Sequence, residues 1–262
     1  MQVDSFLTKG TAHSICEDYI RHGTKPFPYV ILSDGCSSSH NTDIGARILV
    51  SQAHRTFLDD MFVEFKADKG LSLPKFTVLQ PSLDVVTLMG LDHACLDATL
   101  MCAMVVEDQI LVRVFGDGSI IQIMKDGRVQ IMNYSYAENA PFYLSYLKSS
   151  EDVEKYLKKF SPYVFEKRYF AGVNMYNNNI PVNKPFQINI PKKDVKAVLI
   201  ASDGIESFSG DFADNIVEVV NEFTSFKNIK GEFVKRRSNK AIKKLGTHYD
   251  DISIGGFYFD SV

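Results

Sequence analysis

Short apolar runs separated by polar breaks dominate the chain, and run length distinguishes strands from helices. Tyr29 to Leu32 is apolar enough to be covered on both faces, and it stops at Ser33-Asp34-Gly35. Thr99 to Val106 and Ile110 to Phe115 flank Glu107-Asp108-Gln109 and predict a hairpin. Ser119 to Met124 and Arg128 to Met132 flank Lys125-Asp126-Gly127, a second hairpin with an Asp-Gly turn. Val195 to Ala201 runs into Ser202-Asp203-Gly204, and Ile252 to Phe259 is a last strand. Helical spacing marks Asp43 to Met61, with Ile44, Ile48 and Phe57 on one side and Asn41, Thr42 or Asp43 as caps. Asp211 to Phe226 and Glu232 to Leu245 are two further helices, and Gly246 suits the position past a helix end.

The stretch Asn133 to Pro191 is rich in Tyr, Asn, Pro and Lys and has weak periodicity. It reads as a partly irregular, flap-like excursion over the core. Meandering strands with helices before and after predict a layered α+β fold rather than alternating βαβ units. No repeat or linker divides the chain, so 1–262 reads as a single domain.

Composition narrows the class. The 262 residues are 45% hydrophobic, enough for a sizeable core. The net charge of −3 gives no reason to expect nucleic acid or an anionic membrane as partner. No apolar run reaches spanning length, and Met1 to Gly10 lacks the basic-then-apolar pattern of a signal peptide. Cys16, Cys36, Cys95 and Cys102 form no C-x-x-C pair, and four free thiols fit a reducing compartment. A cytoplasmic location is the expectation. Lys227 to Lys244 is strongly basic and reads first as a solvated helix face, with a phosphoprotein or nucleic-acid surface as the alternative.

Acidic residues recur at strand ends. Asp34-Gly35 and Asp203-Gly204 each follow a buried type of run, so each carboxylate emerges at the rim of the core. Asp117-Gly118 reads equally as a turn or as a third such carboxylate, and Asp126-Gly127 as an ordinary turn. Glu17-Asp18 and Asp250-Asp251 border strands as well. Carboxylates gathered at one rim repel unless cations neutralise them, and hard oxygen donors without a Cys/His set favour magnesium or manganese. Paired divalent cations are a common device for phosphoryl transfer to water. Cys36 is a poor nucleophile candidate, because a cysteine phosphatase needs Arg six residues on and position 42 is Thr.

Six segments in order resemble the metal-dependent protein phosphatases of the 2C type: His13 to Asp18, Val30 to Ala46, Asp97 to Leu100, Val112 to Gly118, Leu199 to Ser207 and Asp250 to Ile254. The resemblance implies an α-β-β-α sandwich of two antiparallel sheets flanked by helices. It implies two Mn2+ or Mg2+ ions at one edge between the sheets, and a weaker third. By the same resemblance Asp34 bridges both ions, while Gly35, through its carbonyl, and Glu17 bind one of them. Asp203 and Asp250 bind the other, Asp18 orders water, Asp117 serves the third ion, and Thr99 lies near the centre. Glu17, Asp34, Asp203 and Asp250 then balance two divalent cations in charge. The implied activity is hydrolysis of phosphoserine and phosphothreonine in proteins by water activated between the ions, with a phosphorylated protein as substrate and a cognate Ser/Thr kinase as a further partner.

The family often has Arg where this chain has His13, and His13 inherits the phosphate-gripping role. Cys36 stands for a usual His, Ser207 for a usual Asp, and Asp251 for a usual Asn. Two other readings stay open: a catalytically weak scaffold that binds a phosphorylated partner, and a two-metal hydrolase of a small phosphorylated molecule.

Overall fold

The computed structural model describes residues 1–67, 78–170, 173–183, 186–213 and 215–259. The N-terminal part supplies β1 (Gln2–Thr8), β2 (Tyr19–Gly23), β3 (Tyr29–Ser33), α1 (Thr42–Ala67) and α2 (Leu79–Leu88). Two hairpins follow: β4 (Leu100–Val106) with β5 (Gln109–Phe115), and β6 (Gly118–Met124) with β7 (Val129–Ser135). The middle holds α3 (Ser150–Lys159), β8 (Tyr163–Phe170), β9 (Val173–Pro181) and β10 (Phe186–Pro191). The last part is β11 (Val195–Ala201), α4 (Ile216–Thr224), α5 (Phe233–Leu245) and β12 (Ile252–Tyr258).

The strands form two antiparallel sheets. One has the order β1-β12-β11-β6-β7-β8-β9 and the other β10-β5-β4-β3-β2. β3 and β4 are buried at every position, as their unbroken apolar runs require of strands covered on both faces. One apolar cluster, including Val30, Leu32, Met101, Ile120, Val198 and Phe257, joins the two sheets and the helices over the five-stranded one. A second, including Ile121, Leu199, Val219, Phe223, Phe233 and Ile254, seats α4 and α5 on the outer face of the seven-stranded sheet. Ile44 and Ile48 of α1 pack on the first cluster, whereas the side chain of Phe57 lies outside the described part.

The expected strands and hairpins are present with ends displaced by a residue or a few. The helix expected over Asp211 to Phe226 is shorter, because Asn215 caps α4 by accepting the Glu218 N–H at 3.2 Å. The stretch 133–191 is more regular than its sequence suggests. β8 and β9 extend the seven-stranded sheet, and β10 edges the other beside β5. These strands bury little on their outer sides, so they lack an apolar alternation to read.

Asp117-Gly118 resolves the two readings left open. β5 belongs to one sheet and β6 to the other, so Phe115 to Gly118 is a crossing between sheets rather than a hairpin turn. Residues 9–18 make another such crossing, between β1 and β2.

Candidate metal site and family membership

Five chain segments end at the same rim of the two sheets. Asp34 follows β3, Asp117 follows β5, Asp203 follows β11, Asp250 precedes β12, and Glu17 and Asp18 precede β2. The Asp34 carboxyl lies within hydrogen-bonding reach of those of Asp18 and Asp203 and feels the charge of Asp117. Asp117 in turn feels Asp203, Glu206 and Asp250. The structure therefore brings together Asp18, Asp34, Asp117, Asp203 and Asp250, with Glu17 beside them through His13.

Electrostatics reflect that crowding. Burial pushes the Asp18 carboxyl up to about 8, against hydrogen bonds that favour its charge. Burial, then the neighbouring carboxylates, raise Asp34 and Asp117 well above the usual range. Asp250 is raised too, by burial and by Asp203. Like charges held this close are unfavourable unless protons or cations neutralise them.

Two glycines let the backbones meet. A Cβ on Gly35 would lie 2.9 Å from the Glu17 carbonyl oxygen, and one on Gly204 would lie 1.7 Å from that of Asp251. The first close approach sets Glu17 beside Asp34, and the second sets Asp250-Asp251 beside Asp203. Thr99, 3% exposed, fixes the end of β3, since its Oγ1 accepts the Asp34 N–H at 3.1 Å and its N–H donates to the Asp34 carbonyl at 2.8 Å.

His13 lies at the edge of the cluster. Its Nδ1 is 3.0 Å from Asp251 Oδ2 and 3.9 Å from Glu17 Oε2, and its Nε2 is 3.5 Å from Asp250 Oδ1 and 3.3 Å from Ser37 Oγ. Burial works against its protonated form, but Asp251, Asp250 and Glu17 outweigh it and raise its pKa.

Several residues support the rim through contacts that the sequence does not show. Asp251, 1% exposed, accepts the N–H groups of Gly10 and Glu17 at 2.7 and 2.6 Å. Ser202 donates to Asp18 Oδ2 at 2.8 Å and accepts the Ser253 N–H at 3.0 Å. Ser207 accepts the Asp250 N–H at 3.1 Å and donates to the Gly204 carbonyl at 2.7 Å. Asp97 accepts from Ser39 at 3.0 Å and from Ser145 at 2.6 Å, tying the loop after Cys36 to the middle stretch. For Ser202 the signal in the sequence is its place before Asp203-Gly204, which Ser33 shares before Asp34-Gly35. Asp126, by contrast, is the exposed turn expected, bonded to Arg128 Nε at 2.7 Å.

Among the described residues no group of three or more His, Cys, Asp and Glu side chains is gathered tightly enough to hold a metal ion as it stands. The donors nevertheless fit one chemically. They are carboxylates with a backbone carbonyl beside them, the hard oxygen set that Mg2+ and Mn2+ take. Glu17 Oε2 and Asp18 Oδ1 are buried without any hydrogen-bond donor, which a protein leaves rarely and at a cost.

Two antiparallel sheets packed between helices, with a carboxylate rim where strands cross from one sheet to the other, make up the architecture. The serine/threonine phosphatase from Staphylococcus aureus shares it with a TM-score of 0.56 at 11% identity, over 99% of this chain and 95% of that one. A sex-determining protein of C. elegans does so with a TM-score of 0.57 at 15% identity, over 98% and 64%. The Mycobacterium tuberculosis serine/threonine phosphatase PstP/Ppp gives 0.51 at 12% identity, over 99% of both chains. At these identities the likeness is one of fold. No curated protein sequence matches the chain significantly. A sequence profile of the Protein phosphatase 2C family matches residues 9–235, and the chain belongs to that family.

No helix among the described residues is long and apolar enough to cross a membrane.

Proposed function

We propose that the chain is a metal-dependent serine/threonine protein phosphatase acting on phosphoprotein monoesters. The observation that supports it most is the convergence of carboxylates from both sheets, with two buried oxygens that have no donor. In this reading Glu17, Asp34 and the Gly35 carbonyl would hold one Mn2+ or Mg2+, and Asp34, Asp203 and Asp250 would hold a second. Asp117 serves a weaker third. When bound, such cations lower the pKa of water and stabilise the charge that develops on phosphoryl oxygens.

The chain's own groups do the positioning. Asp18, fixed by Ser202, is the buried carboxylate that would accept a hydrogen bond from attacking water. His13 brings positive charge to the rim, where a phosphate dianion arrives. Ser207 has its hydroxyl engaged with the Gly204 carbonyl and the Asp250 N–H, so it orients Asp250 rather than supplying another carboxylate.

The test is hydrolysis of a phosphoserine peptide with manganese added and then chelated. Release of phosphate that stops with the chelator and returns with excess manganese is expected. Manganese binding without hydrolysis of phosphopeptides or small phosphate esters would replace this reading with that of a phosphoprotein-binding scaffold.

A further inference from the structure

The phosphatase reading leaves the basic segment 227–244 unused. It carries eight Lys or Arg residues and a single acid, Glu232, in a chain of net charge −3. Part of that charge is paired: Lys235 with Glu232 at 2.9 Å, and Arg237 and Lys244 with Glu222 at 2.6 Å each. Lys227 and Lys240 have no acidic partner among the described residues. With Arg236 they border a cavity of about 150 Å³, whose lining also includes half-buried Phe226 and buried Phe233.

The cavity has a fixed frame. Arg236 Nη2 donates to the carbonyls of Asn228 at 3.2 Å and Lys230 at 2.6 Å, and Asn228 Oδ1 accepts the Lys230 N–H at 2.9 Å. One end of the guanidinium is thereby anchored to the loop between α4 and α5. The start of α5 is already capped, because Asp4 Oδ2 accepts the N–H groups of Val234 and Lys235 at 2.7 and 3.1 Å. Attraction for an anion therefore comes from the side chains and not from the helix end.

An anchored guanidinium and two unpaired ammoniums around one small opening suit a dianion with several acceptor oxygens. A phosphate ester has that charge and geometry, whereas a single carboxylate has half the charge and fewer oxygens. The phenyl walls suit the carbon atoms that carry such a group. We propose that this cavity is a second anion site, where a phosphorylated side chain of a protein segment docks outside the carboxylate rim. The substrate class rests on the phosphoprotein reading above, but binding here needs no cation at the rim. α5 carries both Phe233 and Lys240 of the cavity and ends at Leu245, shortly before Asp250 in the chain. Doubly phosphorylated segments, with one group for the cavity and one for the rim, are the favoured ligands.

The experiment titrates the full chain, in chelator, with a phosphoserine peptide, its unphosphorylated form, its glutamate form and inorganic phosphate. Chelation removes the cations that would bind phosphate at the rim, and the charge-reversal variant below separates binding at the cavity from any that remains there. Phosphopeptide binding that shifts the amide resonances of Phe226, Phe233 and Lys240 is expected. Affinity should fall at least about tenfold in the Lys227→Glu/Lys240→Glu double variant, the scale of removing two charge-assisted contacts, and stay unchanged in Asp34→Asn. With manganese present, KM for a doubly phosphorylated peptide should rise in the double variant while kcat holds. Equal affinity for the unphosphorylated or glutamate peptide, for free phosphate, or for a single-stranded oligonucleotide would overturn the proposal, as would binding that survives the charge reversal. Hydrolysis plays no part in the binding arm, so failure of the catalytic reading and failure of this site give different results.

Discussion

Asp251 accepts the main-chain N–H of Glu17 at 2.6 Å, a bond between residues 234 positions apart. Its other oxygen accepts the Gly10 N–H at 2.7 Å. One buried carboxylate thus clasps the crossing between β1 and β2 to the start of β12, and holds the segment carrying Glu17 and Asp18 against the segment carrying Asp250. Asp251→Ala leaves two buried N–H groups without an acceptor and should destabilise the fold by about 2–4 kcal/mol, the scale of two lost bonds to a charged group. Asp251→Asn keeps one acceptor and should lose less. Urea denaturation of the three proteins measures this. Equal stability in all three would show that the clasp bears no load.

Metal removal should make stability fall as pH rises. Asp18, Asp34, Asp117 and Asp250 all have carboxyl pKa values raised in the fold, chiefly by burial. In the unfolded chain they titrate near ~4. A raised acid favours the fold when protonated: its contribution is complete below the unfolded pKa and is lost as pH rises through the folded one, about 8 for Asp18. In chelator, Tm should therefore fall between pH 5 and pH 8. Manganese takes the place of the protons, so with saturating manganese Tm should be higher, and the gain should grow with pH. A gain independent of pH would separate metal binding from these carboxylates.

Asp34→Asn and Asp203→Asn should each lower kcat by roughly 10²-fold or more while the fold survives, since each removes a charged donor and keeps its size. Asp126→Asn is the control. Asp126 sits in an exposed turn with Arg128 and should leave turnover within about twofold of wild type, as expected of a surface site. Phosphopeptide kinetics at saturating manganese compare the three. Losses of one size in all of them would mean that the strand-end aspartates act as turn residues and nothing more.

Chain order and burial explain what was legible. Asp34 and Asp203 stood out because the strands before them, β3 and β11, are apolar at nearly every position, and such strands expose only their ends. Asp126 has the same Asp-Gly signature but follows Lys125, and its turn is exposed. Asp117 was ambiguous because local sequence does not say whether β5 and β6 share a sheet. Asp251 and Ser207 were hidden for a related reason: their roles lie in hydrogen bonds to the backbones of Glu17 and Asp250, far apart in sequence. β9 left no pattern because an edge strand buries little, and Val173, Met175 and Tyr176 on it are exposed.

The two helices over the seven-stranded sheet are joined by Glu222, and that junction should weaken in acid. Glu222 on α4 meets Arg237 Nη2 through Oε2 and Lys244 Nζ through Oε1, both at 2.6 Å, and its main-chain carbonyl accepts Arg237 Nε. The Lys244 hydrogen bond, followed by the charges of Lys244 and Arg237, holds its carboxyl below the usual range against a partial burial that opposes the charge. A depressed acid contributes stability that is complete above its unfolded pKa, near ~4.3, and that is lost as pH falls through the folded value. The side chain is 19% exposed, so the pair is largely shielded from water, though Lys244 is 60% exposed and screens its share. Glu222→Gln should then cost about 1 kcal/mol at pH 7, the upper end for paired surface charges, because two partners share one carboxylate. The difference between wild type and variant should hold from pH 7 to pH 5 and close below about pH 4, as wild-type Glu222 takes up its proton. Urea denaturation of both proteins at pH 7, 5 and 3 decides it. A gap that persists undiminished at pH 3 would show that Glu222 joins the helices by packing and amide-like hydrogen bonds, not by charge.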